Sequence, residues 1–280
     1  MEIITDNLGR IMALGTALTW AFSVILFKKS GESVHPVGLN LFKNVLAFIL
    51  ILPTMAILGT DLIQPDQPLW VYFWIIFSGV LGIAISDTFF FMSLNRLGAG
   101  LSAIVDCLYS PSIILLSIIL LKEKLTGMQL LGSIFIVSAV LTATLKGSDK
   151  YISRKDLMWG VIYGALAMGI MGISIVMVKP QLEAAPLLWS MELRLIGGFF
   201  PLLLMVWLHP RRKDFTANIW KPGSRKYTFW GSFTGAYISL ILWLGGMKFA
   251  QASIAAALNQ TSNIFVFIFA ALLLKEPITA

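Results

Sequence analysis

"LSAIVDCLYSPSIILLSIILLKEKLT" runs from Leu101 to Thr126, and "IAAALNQTSNIFVFIFAALLLKEPIT" runs from Ile254 to Thr279, 153 residues further on. Position for position, each is an apolar run with small polar residues in its first half that closes on Leu-Leu-Lys-Glu, with a Thr three residues after the Glu. The same offset carries Ser86 onto Ser239, and a slightly smaller one carries Lys43 onto Arg194 in an earlier pair of apolar runs. Recurrence at a fixed spacing marks an internal repeat. The chain therefore reads as two copies of one unit, 1–148 and 149–280.

Composition decides the solvent in which those copies fold. The chain is 58% hydrophobic and 12% charged, with mean hydropathy +0.84, against about 25% charged residues in an ordinary soluble domain. It is a membrane protein by composition. Its net charge of +7 comes from short Lys/Arg clusters between apolar runs, a topology signal and not a nucleic-acid face. Cys107 is the one cysteine, and His35 and His209 stand in loops, so neither a disulfide framework nor a metal set is expected, and no cofactor.

Charge-free runs place nine helical spans at 9–28, 36–58, 69–93, 100–121, 127–145, 157–178, 186–208, 227–247 and 252–274. A span needs about 20 mostly apolar residues. Continuous runs, without two-residue alternation, point to helices and not to a barrel. "MEIITDNLGR" has no basic region ahead of the first span, which is read as an uncleaved helix. Five spans in the first copy is an odd number, so the second copy enters the membrane inverted. The fold class is all-α and polytopic, with two inverted five-helix repeats, and such folds place a site at the repeat interface. The second copy stops one residue after its "LLKEPIT", where the first continues with "GMQLLGSIFIVSAVLTATL". A tenth helix of about 20 apolar residues is expected to belong there, as a packing element and not a substrate wall.

Four features together resemble the EamA-like branch of the drug/metabolite transporter superfamily. They are "GTALTWAFSVILFKK" in the first span, a basic residue midway along the second, "GAGLSAIVDCLYSPSIILLSIILLKEKLTGMQLLGSIFIVSAVL" across the fourth and fifth, and the second "LLLKEPIT". Two departures stand out: Lys43 where that family usually has Arg, and Ile264 where Pro111 supplies a helix proline in the first copy. The resemblance covers nearly the whole chain. It implies ten helices in two five-helix units and transport of a small metabolite.

Orientation follows from the loops. Those after odd-numbered spans hold 14 of the 21 Lys and Arg, the other side holds 5, and Lys43 and Arg194 lie within spans. The loops after odd-numbered spans are then cytoplasmic and the N-terminus is outside.

Function is sought where charge enters the membrane. Lys43, Asp87, Asp106, Glu192 and Arg194 all fall inside spans, where a central charge costs about 2.5–3.5 kcal/mol on insertion scales and needs a partner or a wet cavity. Lys43, Asp87 and Asp106 share one depth, about 10 Å from the cytoplasmic face at 1.5 Å per residue. Glu192 and Arg194 lie at the mirror depth, two residues apart, and do not pair. Tyr109 and Ser110 share a face with Asp106, while Asn259, Ser262 and Asn263 form the matching stripe of the second copy. Trp20 lies deep enough to wall a cavity between these stripes. Plain readings stand beside these: Lys43 and Arg194 snorkel to the interface, one acid forms a structural salt bridge to Lys43, and the Asn/Ser stripes are interhelical hydrogen-bond glue.

The function expected is a secondary transporter of the cell membrane. It exports a small polar or amphipathic metabolite by alternating access, as a monomer or homodimer within the lipid bilayer. Three intramembrane acids against two cations leave one carboxylate for protons, with Asp87 and Asp106 as candidates. A scaffold or receptor subunit is the alternative. An intramembrane aspartyl protease is a weaker one, because "AISD" and "AIVD" lack the Gly-x-Gly-Asp setting of such enzymes.

Overall fold

The computed structural model describes residues 2–122, 126–145, 152–210 and 212–276. Among them every regular element is helical. The chain runs through α1 (Glu2–Gly31), α2 (Pro36–Ile57) and α3 (Leu69–Gly79), which passes through the π-helical segment Val80–Ser86 into α4 (Asp87–Asp106). α5 (Tyr109–Leu116) continues into a second π-helical segment, Ser117–Leu121, before α6 (Gly127–Leu145), α7 (Arg154–Ala184) and α8 (Leu187–Leu208). After the short α9 (Arg212–Thr216), α10 (Pro222–Ser232) joins α11 (Ser239–Phe249) through π-helical Phe233–Ile238. Last come α12 (Ala252–Asn259), α13 (Thr261–Phe269) and π-helical Ala270–Leu274.

Six of these stretches are long and apolar enough to cross a membrane. One of them, Leu69–Leu121, has 53 residues and would be about 80 Å long if straight, far beyond a hydrocarbon core of about 30 Å. It is not straight. Gly98 takes φ 81°, ψ 175°, a backbone that side-chain-bearing residues avoid, so the helix ends at Leu97 and restarts at Ala99. The expected third span, 69–93, therefore extends by four residues, to Leu97. The expected fourth, 100–121, is broken again between Asp106 and Tyr109, where the Cys107 and Leu108 amides bond three residues back, to Ile104 and Val105.

The 153-residue offset returns in the backbone. Val80–Ser86 and Ser117–Leu121 correspond to Phe233–Ile238 and Ala270–Leu274, and Lys122 and Lys275 both end their segments at φ 56°. The helix breaks at Cys107 and Gln260 also correspond, although only the first is followed by a proline. Proline is thus not needed for the break. At the smaller offset, Lys28 donates to the Leu94 and Asn95 carbonyls, each at 3.4 Å. Lys179 does the same for Met247 and Ala250, at 2.8 and 2.9 Å. Each lysine covers open carbonyls at the end of a neighbouring helix.

The core is apolar, but so is the outside. Ile57 is 83% exposed, Leu69 86% and Phe135 73%, a surface that suits lipid and would associate in water. Inside, α3 and α8 approach backbone to backbone. A Cβ on Gly79 would collide with the Arg194 carbonyl, and one on Gly197 with that of Ile76, as small residues permit in membrane helix pairs. α6 lies at the periphery with Met128 and Phe135 outward. The loop histidines are not isolated: His35 and His209 stack on Phe215 of α9 at 4.3 and 4.7 Å.

Candidate substrate cavity

A cavity of about 140 Å³ opens between the helices, lined from both halves of the chain. α2 carries Lys43 into its wall because Asn40 and Asn44, on the same face, bond into the interior; Asn40 donates to the Ile83 carbonyl at 2.8 Å and to Thr88 at 3.0 Å. The end of the first π-helical segment brings Asp87 opposite. Lys43 Nζ and Asp87 Oδ2 meet at 2.6 Å, with both residues buried. Asp106, at the break before α5, lines the same cavity, and among the described residues no cation pairs with it.

Arg194 of α8 lines the opposite side. It is 1% exposed. Its guanidinium donates to Ser78 at 2.7 Å and Ser174 at 3.2 Å and stands 5.7 Å from the Trp243 ring centre, close enough for a cation–π contact. Nε has no hydrogen-bond partner among the described residues. Among the described residues no carboxylate forms an ion pair with this cation, although Asp87 acts on it through space. Trp243 ties the walls together: its indole N–H lies 3.2 Å from the Tyr109 hydroxyl. With the Asn259 amide oriented to satisfy both of its ends, the same N–H lies 3.2 Å from its oxygen, while its nitrogen donates to the Ala13 carbonyl at 2.9 Å. Asn263 donates to Cys107 Sγ at 3.2 Å, and Gln260 to the Asp106 carbonyl at 3.3 Å. Trp20 packs against Phe90 at 5.6 Å to form the aromatic wall.

Nine of the eleven residues singled out from sequence thus face one space: Trp20, Lys43, Asp87, Asp106, Tyr109, Arg194, Asn259, Ser262 and Asn263. Two do not. Ser110 is buried but outside the lining, because the turn at Cys107 and Leu108 breaks the single helical face assumed for it. Glu192 is buried elsewhere with both carboxylate oxygens unpartnered among the described residues. Sequence reasoning passed over Trp243, Gln260 and the Ser78–Ser174 pair that holds Arg194. The offset would have found the first, since Phe90 plus 153 is Trp243 and both line the cavity. Ile83 and Ala236, Ser86 and Ser239, Asp106 and Asn259, and Tyr109 and Ser262 are further lining pairs at that spacing.

An all-helical membrane protein that buries charge around an interior cavity is the class these observations define. Comparison with known proteins then places it. The model of the EamA-like transporter family matches residues 7–145 and 158–280, and the chain belongs to that family of membrane transporters. An uncharacterized transporter of Archaeoglobus fulgidus is 24% identical over 271 residues, 96% of this chain and 90% of its own length. The uncharacterized inner membrane transporter YhbE of Escherichia coli K12 is 27% identical over 164 residues, 56% of this chain and 50% of its own. A solved crystal structure superposes with TM-score 0.70 at 18% identity, over 97% of this chain and 91% of that one.

Proposed function

We propose that this protein is a secondary transporter of the cell membrane that exports a small polar metabolite bearing an anionic group, by alternating access between two inverted repeats. The observation that carries the reading is the charge inventory of the cavity. Lys43 and Asp87 pair directly at 2.6 Å, whereas among the described residues Arg194 and Asp106, which line the same cavity, make no direct ion pair, and Arg194 feels Asp87 only through the field across the cavity. A buried, pre-held guanidinium suits an anion on the substrate. Asp106 is the group assigned to the proton, while Asp87 keeps Lys43 in place. Because both sites share one small cavity, proton and substrate exchange, and an inward proton gradient drives export.

The two-copy reading, 1–148 and 149–280, is supported by the lining pairs at a spacing of 153 and by the recurrence of the π-helical segments. Both walls of the cavity come from one chain, which suits either a monomer or a homodimer with one cavity in each copy. The commitment of Asp87 to Lys43 argues against an aspartyl protease, whose two acids share a proton. The test is flux of labelled anionic and neutral metabolites in proteoliposomes, with and without a pH gradient. Gradient-driven exchange abolished in Arg194→Gln supports the proposal, and flux of no compound in an anionic panel overturns it.

A further inference from the structure

The elbow at Gly98 is closed by a residue from the other end of the chain. Helix restarts at Ala99, leaving first-turn amides that need an acceptor, and Gly98 has no side chain to supply one. Glu276 supplies it. Oε1 accepts from the Ala99 N–H and Oε2 from the Gly100 N–H, each at 2.9 Å. The carboxylate also meets the positive end of the restarted helix. Lys275, at φ 56°, turns the chain out of the last π-helical segment and aims Glu276 at the elbow. Space there is tight, since a Cβ on Gly98 would stand 2.9 Å from Glu276 Oε1.

Ala99 to Asp106 is eight residues, about 10 Å from first to last, so the elbow lies that far outward from the cavity. Along this length the helix runs beside α13 in the opposite sense. Gln260 meets the Asp106 carbonyl at the cavity end, Phe267 lies 3.8 Å from a Cβ placed on Gly100, and Glu276 holds the outer end. The paired segments form one wall, fastened at its rim by the Glu276 carboxylate, which also attracts Lys28 on the Leu94 and Asn95 carbonyls.

We propose that Glu276 is the clasp of a gate. Its bonds to Ala99 and Gly100 close the cavity to the membrane face on which the elbow lies, and they release when the cavity opens to that face. This rests on the transporter reading above. Glu276 acts as a positioning residue for the transport cycle and contacts no substrate.

Cys107, the chain's one cysteine, is half-buried beside the cavity wall and serves as the reporter. Its labelling by a membrane-impermeant maleimide is followed in vesicles of both orientations for wild type, Glu276→Gln, Glu276→Asp and Gly98→Ala. Glu276→Gln keeps one acceptor oxygen and loses the charge, so labelling should rise about tenfold from one face only; Gly98→Ala, which crowds the carboxylate, should act in the same direction. Glu276→Asp should fall between wild type and Gln. Unchanged labelling in a monodisperse Glu276→Gln protein overturns the clasp, as does an equal rise from both faces, which would mean general loosening. If labelling follows Glu276 while no flux is measured, the clasp stands and the transporter reading fails.

Discussion

Removing one member of the Lys43–Asp87 pair should harm the protein more than removing both. At 2.6 Å two unit charges attract by about 6 kcal/mol at an effective dielectric constant of 20, and much of that offsets the loss of water around two side chains that are 7% and 12% exposed. Asp87→Asn leaves Lys43 with the Asn44 amide oxygen at 3.5 Å and no counter-charge among the described residues. Stranding a buried charge in this way costs about 3–5 kcal/mol, which at about 2–4 °C for each kcal/mol lowers Tm by roughly 10 °C. Lys43→Met should cost a similar amount by stranding Asp87. The double variant should recover most of the loss, giving a coupling energy of at least about 2 kcal/mol. Thermal unfolding of the four proteins in one detergent measures it. If Asp87→Asn melts within 2 °C of wild type, or the double variant is no better than the worse single, the pair does not hold the cavity wall and the reasoning fails.

Asp106→Asn should melt close to wild type, because no ion pair is broken, while the response of metabolite flux to a pH gradient disappears; a retained response would remove Asp106 from the proton path. Gly197→Ala should lose about 1–3 kcal/mol through the overpacked α3–α8 contact, read as lower Tm and lower yield of monodisperse protein, whereas Gly223→Ala, with open space around it, should change neither. Single cysteines introduced at exposed positions between Arg212 and Lys226, such as Trp220, on a Cys107→Ser background, should resist an impermeant thiol reagent in intact cells, because the basic residues there favour the cytoplasm; ready labelling from outside would reverse the topology.

Helices and charge were legible in the sequence because membrane insertion writes both in one-letter terms: a run without charge must be long, and a charge inside it must be held. Lys43, Asp87, Asp106 and Arg194 are visible for that reason. The π-helical segments are not, since they depend on which carbonyl an amide chooses and not on residue type. Ser78 and Ser174, which orient Arg194, are ordinary small residues in apolar runs and carry no signal of their own. α9 is too short to show periodicity, and its seat between two histidines arises from contacts distant in the chain. The elbow at Gly98 looks like any glycine between two spans until Glu276 is seen against it. Trp243 was within reach, because the repeat that identified the fold also names the counterpart of each lining residue.

The π-helical segments bear on how the chain tolerates changes of length. Deleting one residue from an ordinary helix turns everything beyond it by about 100°, which anywhere in α3 would swing Asp87 away from Lys43. Val80–Ser86 is different, because a π turn already holds a residue beyond the α-helical complement. A deletion there is taken up when the segment tightens to α-helix, and Asp87 keeps its facing. Phe233–Ile238 gives Trp243 the same protection. Single-residue gaps between relatives should therefore collect at these two places, each just ahead of a residue that the cavity needs.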